Sequence, residues 1–473
     1  MSTRPLTKEP SVFDTRSIND IYEEIRSVYV SDDRPWVIGY SGGKDSTTAL
    51  QLVWNALLGL PEEKRKKSVY VISSDTFVET PAIVDYINDT LAKVNDAAKH
   101  EHLPISATKL HPQTNDTFWV NLIGRGYPAP SQVFRWCTER LKIKPADRFI
   151  LEKVSEHGEI VLVLGVRKSE SATRAQVMNL YKIRGKLLSR HAKFPQSFVY
   201  TPIEDFSVDD VWLYLLQNPS PWGGNNRDLL ALYKSASEAG ECPLVVDKDT
   251  PPCGNSRFGC WVCTLVTEDK SVQALIDNGE VWLEPLLEYR NRLVETQIPE
   301  KKHLYREYKR RDGKVKFHRD GSGAVVRGPY KLEYCKTLLQ NLLTIQKQVR
   351  AEGPDPTLTL IRPDELHLIR RIWRMERGDW NDTVPKIYRQ SVGEDLKWID
   401  EDLGTYSAKE AALLETICVK HKVPLRLVTK LLDVEYQVQG MSRRSSVYSK
   451  IGSVLGEEWR SEDEILNDEQ KMP

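Results

Sequence analysis

Short apolar runs punctuate the first half of the chain at Trp36–Tyr40, Val69–Ser73, Ile105–Leu110, Ile160–Leu164 and Phe198–Ile203. Each is bounded by turn residues, and Val69–Ser73 is apolar almost throughout, as expected of a strand buried on both faces of a parallel sheet. Between the runs the period changes. Ala49, Leu50, Val53, Trp54 and Leu57 recur at the spacing of one helix face, and Gly59 and Pro61 stop them. Ile83, Val84, Ile87, Leu91 and Val94 form a second such face, opened by Thr80 as cap and Pro81 as first residue. Upstream, Ser17 with Asp20 reads as a capping box for a helix burying Ile18, Ile21, Tyr22, Ile25, Val28 and Tyr29. Ser207 reads as another cap, with Phe206 and Val211 as a hydrophobic staple. Alternating strands and helices predict an α/β fold: a doubly wound, mostly parallel sheet over 31–218, preceded by a helical extension over 1–30.

The pattern then changes. Asn218–Asn226 is turn chemistry and predicts a boundary. A cysteine-bearing segment is expected over 219–300 and a mainly helical region over 301–473. Ser407 and Glu410 read as a capping box for a helix running through Cys418, and the acidic stretch Glu457–Glu469 reads as frayed or disordered.

Composition narrows the classes. Lys plus Arg and Asp plus Glu number 67 each in 473 residues, so any nucleic-acid surface must be local. No run of 18 apolar residues exists, and Met1–Pro35 has no signal-like apolar core, so a soluble, cytoplasmic protein without a membrane role is expected. Seven cysteines, an odd number, do not read as a disulfide framework.

The chemistry is centred on Ser41-Gly42-Gly43-Lys44-Asp45-Ser46, between the first strand and its helix. Glycines let backbone N–H groups approach a phosphate, and the helix start adds partial positive charge. It is not a Walker A loop, because Ile38 stands where the first glycine of that motif belongs and Asp45 follows Lys44. The hexapeptide resembles the PP-loop of ATP pyrophosphatases, which cleave ATP between the α and β phosphates. Three further stretches resemble the branch that includes phosphoadenosine phosphosulfate reductases. They are Asp75-Thr76 with Glu79, Arg135-Trp136-Cys137-Thr138-Glu139-Arg140-Leu141-Lys142 with Pro145, and Gly165-Val166-Arg167-Lys168-Ser169-Glu170-Ser171 with Arg174. With Phe118–Pro128, they are similar to the DndC-type family of bacterial DNA phosphorothioation systems. The chain departs from true reductases: its last cysteine, Cys418, lies on an apolar helical face rather than beside glycine and histidine, and no Cys-Cys pair occurs.

Cys242, Cys253, Cys260 and Cys263 place four thiols within 22 residues, a donor set for zinc or an iron–sulfur cluster. Irregular spacing and the resemblance favour a 4Fe-4S cluster; zinc or free thiols are the alternatives. Cys137 stands apart, beside Arg135, Arg140 and Lys142, whose charge favours a thiolate; it is a candidate persulfide carrier or a packed cysteine. Cys335 and Cys418 read as core residues.

Two basic runs are candidate backbone-binding surfaces or solvated faces. Arg174, Lys182, Arg184, Lys186, Arg190 and Lys193 occur with no acidic residue from Ser171 to Ile203. Lys301, Lys302, Arg306, Lys309, Arg310, Arg311, Lys314, Lys316 and Arg319, set against Glu307, Asp312 and Asp320, are interleaved with Tyr305, Tyr308 and Phe317; the first run, adjacent to Gly165–Arg174, is the better candidate. The resemblance implies ATP and Mg²⁺, with Lys44 and the loop amides on pyrophosphate and Asp45 and Asp75 placing the metal. Thr76, Gly165 and Arg167 complete the expected nucleotide site, with Arg135, Arg140, Lys142, Glu170 and Arg174 toward the substrate. The implied activity is adenylation of a DNA backbone phosphate for sulfur insertion, with a cysteine desulfurase as donor and other Dnd-type proteins as partners. A tRNA-thiolating enzyme and a non-catalytic nucleotide-binding scaffold are the rival readings.

Overall fold

The computed structural model describes residues 11–236, 259–319, 322–398, 408–438 and 445–469. The chain packs into two compact units, neither continuous in sequence. One joins the residues up to Gln113 with Arg135–Val281; the other joins Thr114–Phe134 with Trp282 onward.

The first unit is built on a six-stranded sheet: β1 (Trp36–Gly39), β2 (Val69–Ser74), β3 (Ile105–Leu110), β4 (Ile160–Val163), β5 (Ser189–Arg190) and β6 (Ser197–Tyr200). Their order is β3-β2-β1-β4-β6-β5, parallel except for β5, which pairs antiparallel with β6. The five expected strands are all present; β5, two residues long and polar, carried no periodic signal. Around the sheet lie α1 (Ile18–Val30), α2 (Lys44–Leu58), α3 (Pro81–His100), α4 (Lys144–His157), α5 (Ala172–Tyr181), α6 (Val208–Gln217), α7 (Asn226–Ala236) and α8 (Lys270–Asp277).

Alternation along the strands divides the core between the two faces. Trp36, Ile38, Val69, Val71, Val161 and Val163 pack with residues of α1, α2, α3 and α6. Val37, Ile72, Ile160 and Leu162 pack with Ala146 and Ile150 of α4 on the other face. Trp54 of α2 is fully buried, its ring 5.7 Å from that of Trp222. A Trp54→Ala change would cost about 3–5 kcal/mol. The turn-rich stretch Asn218–Asn226 therefore folds back onto this core, where the Asn226 amide donates to Gln51, Leu215 and Asn218 oxygens. A capping box forms at Ser17, and Ser207 caps α6 as read from the sequence, there also within a box closed by Asp210, whereas Thr80 caps α3 without a side-chain bond.

The second unit is helical. It contains α9 (Glu284–Glu295), α10 (Lys302–Tyr305), α11 (Leu332–Glu352), α12 (Pro363–Glu376), α13 (Thr383–Val392), α14 (Ala408–His421), α15 (Leu425–Val438), α16 (Ser445–Leu455) and α17 (Glu462–Glu469). Trp119 donates to the Leu360 carbonyl at 2.6 Å and Trp373 to that of Ile123 at 3.0 Å, tying the 114–134 segment to α12 and its approach. Cys335 and Cys418 are buried, as expected. The acidic end is not frayed. Glu457 pairs with Lys430 and Glu462 with Arg327, and Ile465 is buried, so α17 is held by charge pairing and an apolar anchor. Ser407 and its expected cap lie outside the described residues. No helix among the described residues is long and apolar enough to cross a membrane.

Candidate functional site

The chain runs from β1 to β2 on one side of the sheet, while β4 joins β1 from the other. The crevice beyond the carboxyl ends of β1 and β4 is thus a topological switch point, where open α/β sheets bind ligands. Ser41–Ser46 lies in it. Gly42 has φ +74°, a left-handed conformation that glycine adopts without strain. Gly43 is the N-cap of α2 and supplies no side-chain cap. The loop is closed from within: the Ser46 hydroxyl donates to the Gly43 carbonyl at 3.0 Å and accepts from the Ser41 amide at 3.2 Å. These features make a backbone cradle at a helix start, suited to an anion.

The stretch after β4 meets this loop. A Cβ on Gly165 would lie 2.5 Å from the Asp45 carbonyl oxygen and 2.9 Å from Cα of Ser46, so only glycine permits the approach. Arg167, almost fully buried, donates from Nε to Asp45 at 2.6 Å and from a terminal nitrogen to Ser169 at 2.9 Å. Its amide donates to Glu170, which pairs in turn with Arg174. Lys44 is buried; its ammonium lies 3.2 Å from Asp45 and 5.0 Å from the centre of the Tyr233 ring. The Tyr233 hydroxyl accepts from the Lys44 amide at 3.2 Å. Asp45 therefore stands between two cations, which fix its carboxylate at the start of α2.

A second cluster forms past the end of β2. Asp75 accepts from Lys109 at 3.0 Å and from the Phe77 amide at 2.9 Å. Phe77 has φ +62° and stacks on His111 with centroids 4.9 Å apart. A bulky residue in that region is strained, and such strain collects at functional sites. An antiparallel backbone bridge pairs Glu79 with Cys260, and the Cys260 sulfur lies 3.4 Å from the Thr76 hydroxyl. Loss of hydration, reinforced by Asp75 and opposed by Lys142 and Lys109, pushes the Glu79 carboxyl up to about 7. The same cause pushes the Cys260 thiol up to about 12 against the pull of Lys142. Lys142 thus acts on both groups.

Cys260 and Cys263 share a tight turn, with the Cys263 amide donating to the Cys260 carbonyl at 3.0 Å. Both thiols are half-buried and outside any disulfide. Two thiols on one such turn fit half of a thiolate metal site. Cys242 and Cys253 lie outside the described residues. Cys137 is half-buried at the start of a π-helical turn, Thr138–Ile143, that carries Arg140 and Lys142 and runs into α4; Arg135 lies just before it. Arg184, Lys186 and Arg190 are exposed on the stretch between α5 and β6. Sequence reasoning missed Lys109 and Tyr233. Lys109 sits on a strand whose alternation gave no hint of charge pairing, and Tyr233 reaches Lys44 from 189 residues away.

The model of the phosphoadenosine phosphosulfate reductase domain matches residues 35–265. An uncharacterized protein of Methanocaldococcus jannaschii is 28% identical over 239 residues, which are 50% of this chain and 38% of that protein. Among solved structures, phosphoadenylyl-sulfate reductase from Candida auris, in a phosphate complex, is 14% identical. That match covers 49% of this chain and 90% of the reductase, with a TM-score of 0.28. A U34-tRNA thiolase from Methanococcus maripaludis, with its [4Fe-4S] cluster, is 14% identical over 59% of this chain and 79% of the thiolase. Its TM-score is also 0.28, so neither structure bears on activity. Residues 35–265 are thus similar to the phosphoadenosine phosphosulfate reductase domain, and their mostly parallel six-stranded sheet with flanking helices is a PP-loop-like fold.

Proposed function

We propose that the chain is an ATP pyrophosphatase that adenylates a DNA backbone phosphate for sulfur insertion. The observation that carries the reading is the closure of Ser41–Ser46 by Gly165 and Arg167, with Asp45 fixed between Arg167 and Lys44. The loop amides and Lys44 bind the β and γ phosphates; Asp45 with Asp75 would hold Mg²⁺, which would offset charge on the leaving pyrophosphate. A non-bridging oxygen of the DNA phosphate attacks the α phosphorus, and pyrophosphate leaves. The DNA phosphate is now joined to AMP through that oxygen. A sulfur nucleophile attacks the DNA phosphorus, and AMP departs with the oxygen. With a persulfide delivered from a cysteine desulfurase, a second thiol then takes the carrier sulfur as a disulfide and leaves the phosphorothioate. Cys137 is the candidate carrier in this chain, and Dnd-type proteins are the expected partners.

The exposed side chains Arg184, Lys186 and Arg190 support a polyanionic substrate, since phosphate contacts position a strand without reading its sequence. Cys260 and Cys263, with Cys242 and Cys253, would hold a 4Fe-4S cluster that stabilises their segment or handles electrons.

Asp45→Ala is expected to lower pyrophosphate release on the order of 10²-fold or more while the fold is retained. Equal turnover by the folded variant would refute the reading. Mass spectrometry of nucleosides from cells with and without the gene identifies the product. Loss of a tRNA thionucleoside in place of a DNA phosphorothioate would favour thiolation of tRNA.

A further inference from the structure

The second unit carries a pocket that the reaction described above does not use. Its volume is about 540 Å³, within the range that holds a nucleotide-sized group. Tyr127 and Phe134 line it together with Lys302, Arg306, Arg310 and Arg311. Its frame is built from buried hydrogen bonds. The Tyr330 hydroxyl accepts from the Ala129 amide at 2.9 Å and bonds Thr296, and Gln297 donates to the Pro130 carbonyl at 2.8 Å. The walls therefore need little reordering to receive a ligand.

The charge is one-sided. None of Lys302, Arg306, Arg310 and Arg311 is ion-paired with a carboxylate among the described residues. Two nitrogens of Arg306 are spent on the Gly328 and Arg327 carbonyls, which orients its guanidinium. Burial, with repulsion from Arg310 and Arg327, holds Arg306 below its ordinary value. An anion in the pocket would relieve that repulsion. The aromatic part is equally specific. Arg311 lies over the Tyr127 ring at 4.9 Å and also bonds its hydroxyl. A tight turn, with reciprocal backbone bonds between Ser131 and Phe134 at 3.2 and 3.0 Å, lifts Val133 and Phe134 to the rim. Val133 is 95% exposed and Phe134 45%. An exposed apolar ring, Phe134, beside guanidinium groups without carboxylate partners matches a polynucleotide whose bases are unstacked: phosphates meet arginines, and a base face meets the ring. A duplex keeps its bases stacked and offers Phe134 nothing.

We infer that this pocket binds a single-stranded segment of the polynucleotide substrate, stacking a base on Phe134 and seating its flanking phosphates on Arg310 and Arg311. The inference rests on the reading of the chain as a polynucleotide-modifying enzyme, and it adds which surface grips the strand and in what form.

The test uses the full chain and a short fluorescent oligothymidylate, followed by anisotropy across a salt series. Arg310→Ala with Arg311→Ala should weaken binding about tenfold or more at low salt and reduce the salt slope by about 0.7 for each lost contact. Phe134→Ala should weaken it about tenfold with the slope unchanged, because stacking releases no counterions. These side chains are exposed, so folding should survive; Arg310→Lys, which keeps the charge, should retain the slope. ATP binding should be unaltered in every variant. Unchanged affinity in both the arginine and the Phe134 variants would overturn the inference. So would a loss confined to an Arg184→Ala, Lys186→Ala, Arg190→Ala protein, or tighter binding of a duplex with no effect of Phe134→Ala. Oligouridylate bound in place of oligothymidylate, with the same variant effects, would uphold the pocket and refute the DNA target. The Asp45→Ala pyrophosphate assay fails or succeeds independently of all these outcomes.

Discussion

A missing side chain organises the Ser41–Ser46 loop as much as any present one. Gly165 sits where a Cβ would press on the backbone of Asp45 and Ser46, which cannot yield as a flexible side chain would. Gly165→Ala should therefore lower stability by about 1–3 kcal/mol. It should also weaken ATP binding, because relief requires the Ser41–Ser46 loop to move. Urea unfolding and nucleotide titration measure the two effects, and a variant with wild-type ATP affinity would contradict the close approach. The glycine was visible in the sequence beside Arg167, but its partner was not. Only the fold shows that Gly165 faces Asp45, 120 positions earlier, and that Arg167 is the buried counter-ion of that carboxylate. Glu79 shows the same limit. It was part of a motif, yet its raised carboxyl depends on Asp75, Lys142 and Lys109, which come from three separate segments.

Elements with a strong apolar period formed where expected, and weak ones were decided by their neighbours. The β5–β6 connection is of the second kind. Nδ1 of His191 accepts from the Lys193 amide at 3.1 Å and the Phe194 amide at 3.0 Å, and the ring stacks on Phe194 at 5.2 Å. Loss of hydration, with Lys193 adding to it and Asp147 opposing, lowers the imidazole from 6.5 to about 4. The unfolded chain then binds a proton that the folded chain refuses. Stability from this residue is full above about 6.5 and is lost as pH falls toward 4. The urea midpoint should drop across that window, and His191→Gln should be less stable than wild type at neutral pH with a gap that narrows on acidification. Parallel curves for the two proteins would show that His191 does not titrate as argued. The acidic helix α17 teaches the converse. Its composition suggested fraying, but Glu462 found Arg327 and Ile465 found a buried place.

At the scale of the whole molecule the cysteines carry the outstanding expectation. Anaerobically prepared chain should be brown and hold about four irons, the content of one cubane. Replacing Cys260 and Cys263 by serine should remove the colour. One zinc per chain in a colourless preparation, under strict exclusion of oxygen, would reverse the choice of metal. The two thiols in view share the turn that such a site requires, and Cys260 stands against Thr76 at the end of β2. A metal held there would lie beside the loop cluster containing Asp75 and Glu79, so its loss should also disturb nucleotide binding.

The sequence by itself determined the five principal strands, the helices between them, the glycine loop at Ser41–Ser46 and the pair Cys260–Cys263. Each of these is local: a period of two or 3.6, a glycine turn or a cap is written within a few residues and needs no distant partner. The tertiary structure alone decided the rest. It chose the strand order that sets β1 beside β4, the contact of Gly165 with Asp45 and the placing of Tyr233 against Lys44. It also took Thr114–Phe134 out of its sequence neighbourhood and packed it with the C-terminal helices. Those outcomes depend on which apolar faces bury one another across a hundred residues or more. Burial is non-directional, so a hydrophobic pattern announces that a face will be covered without naming what covers it.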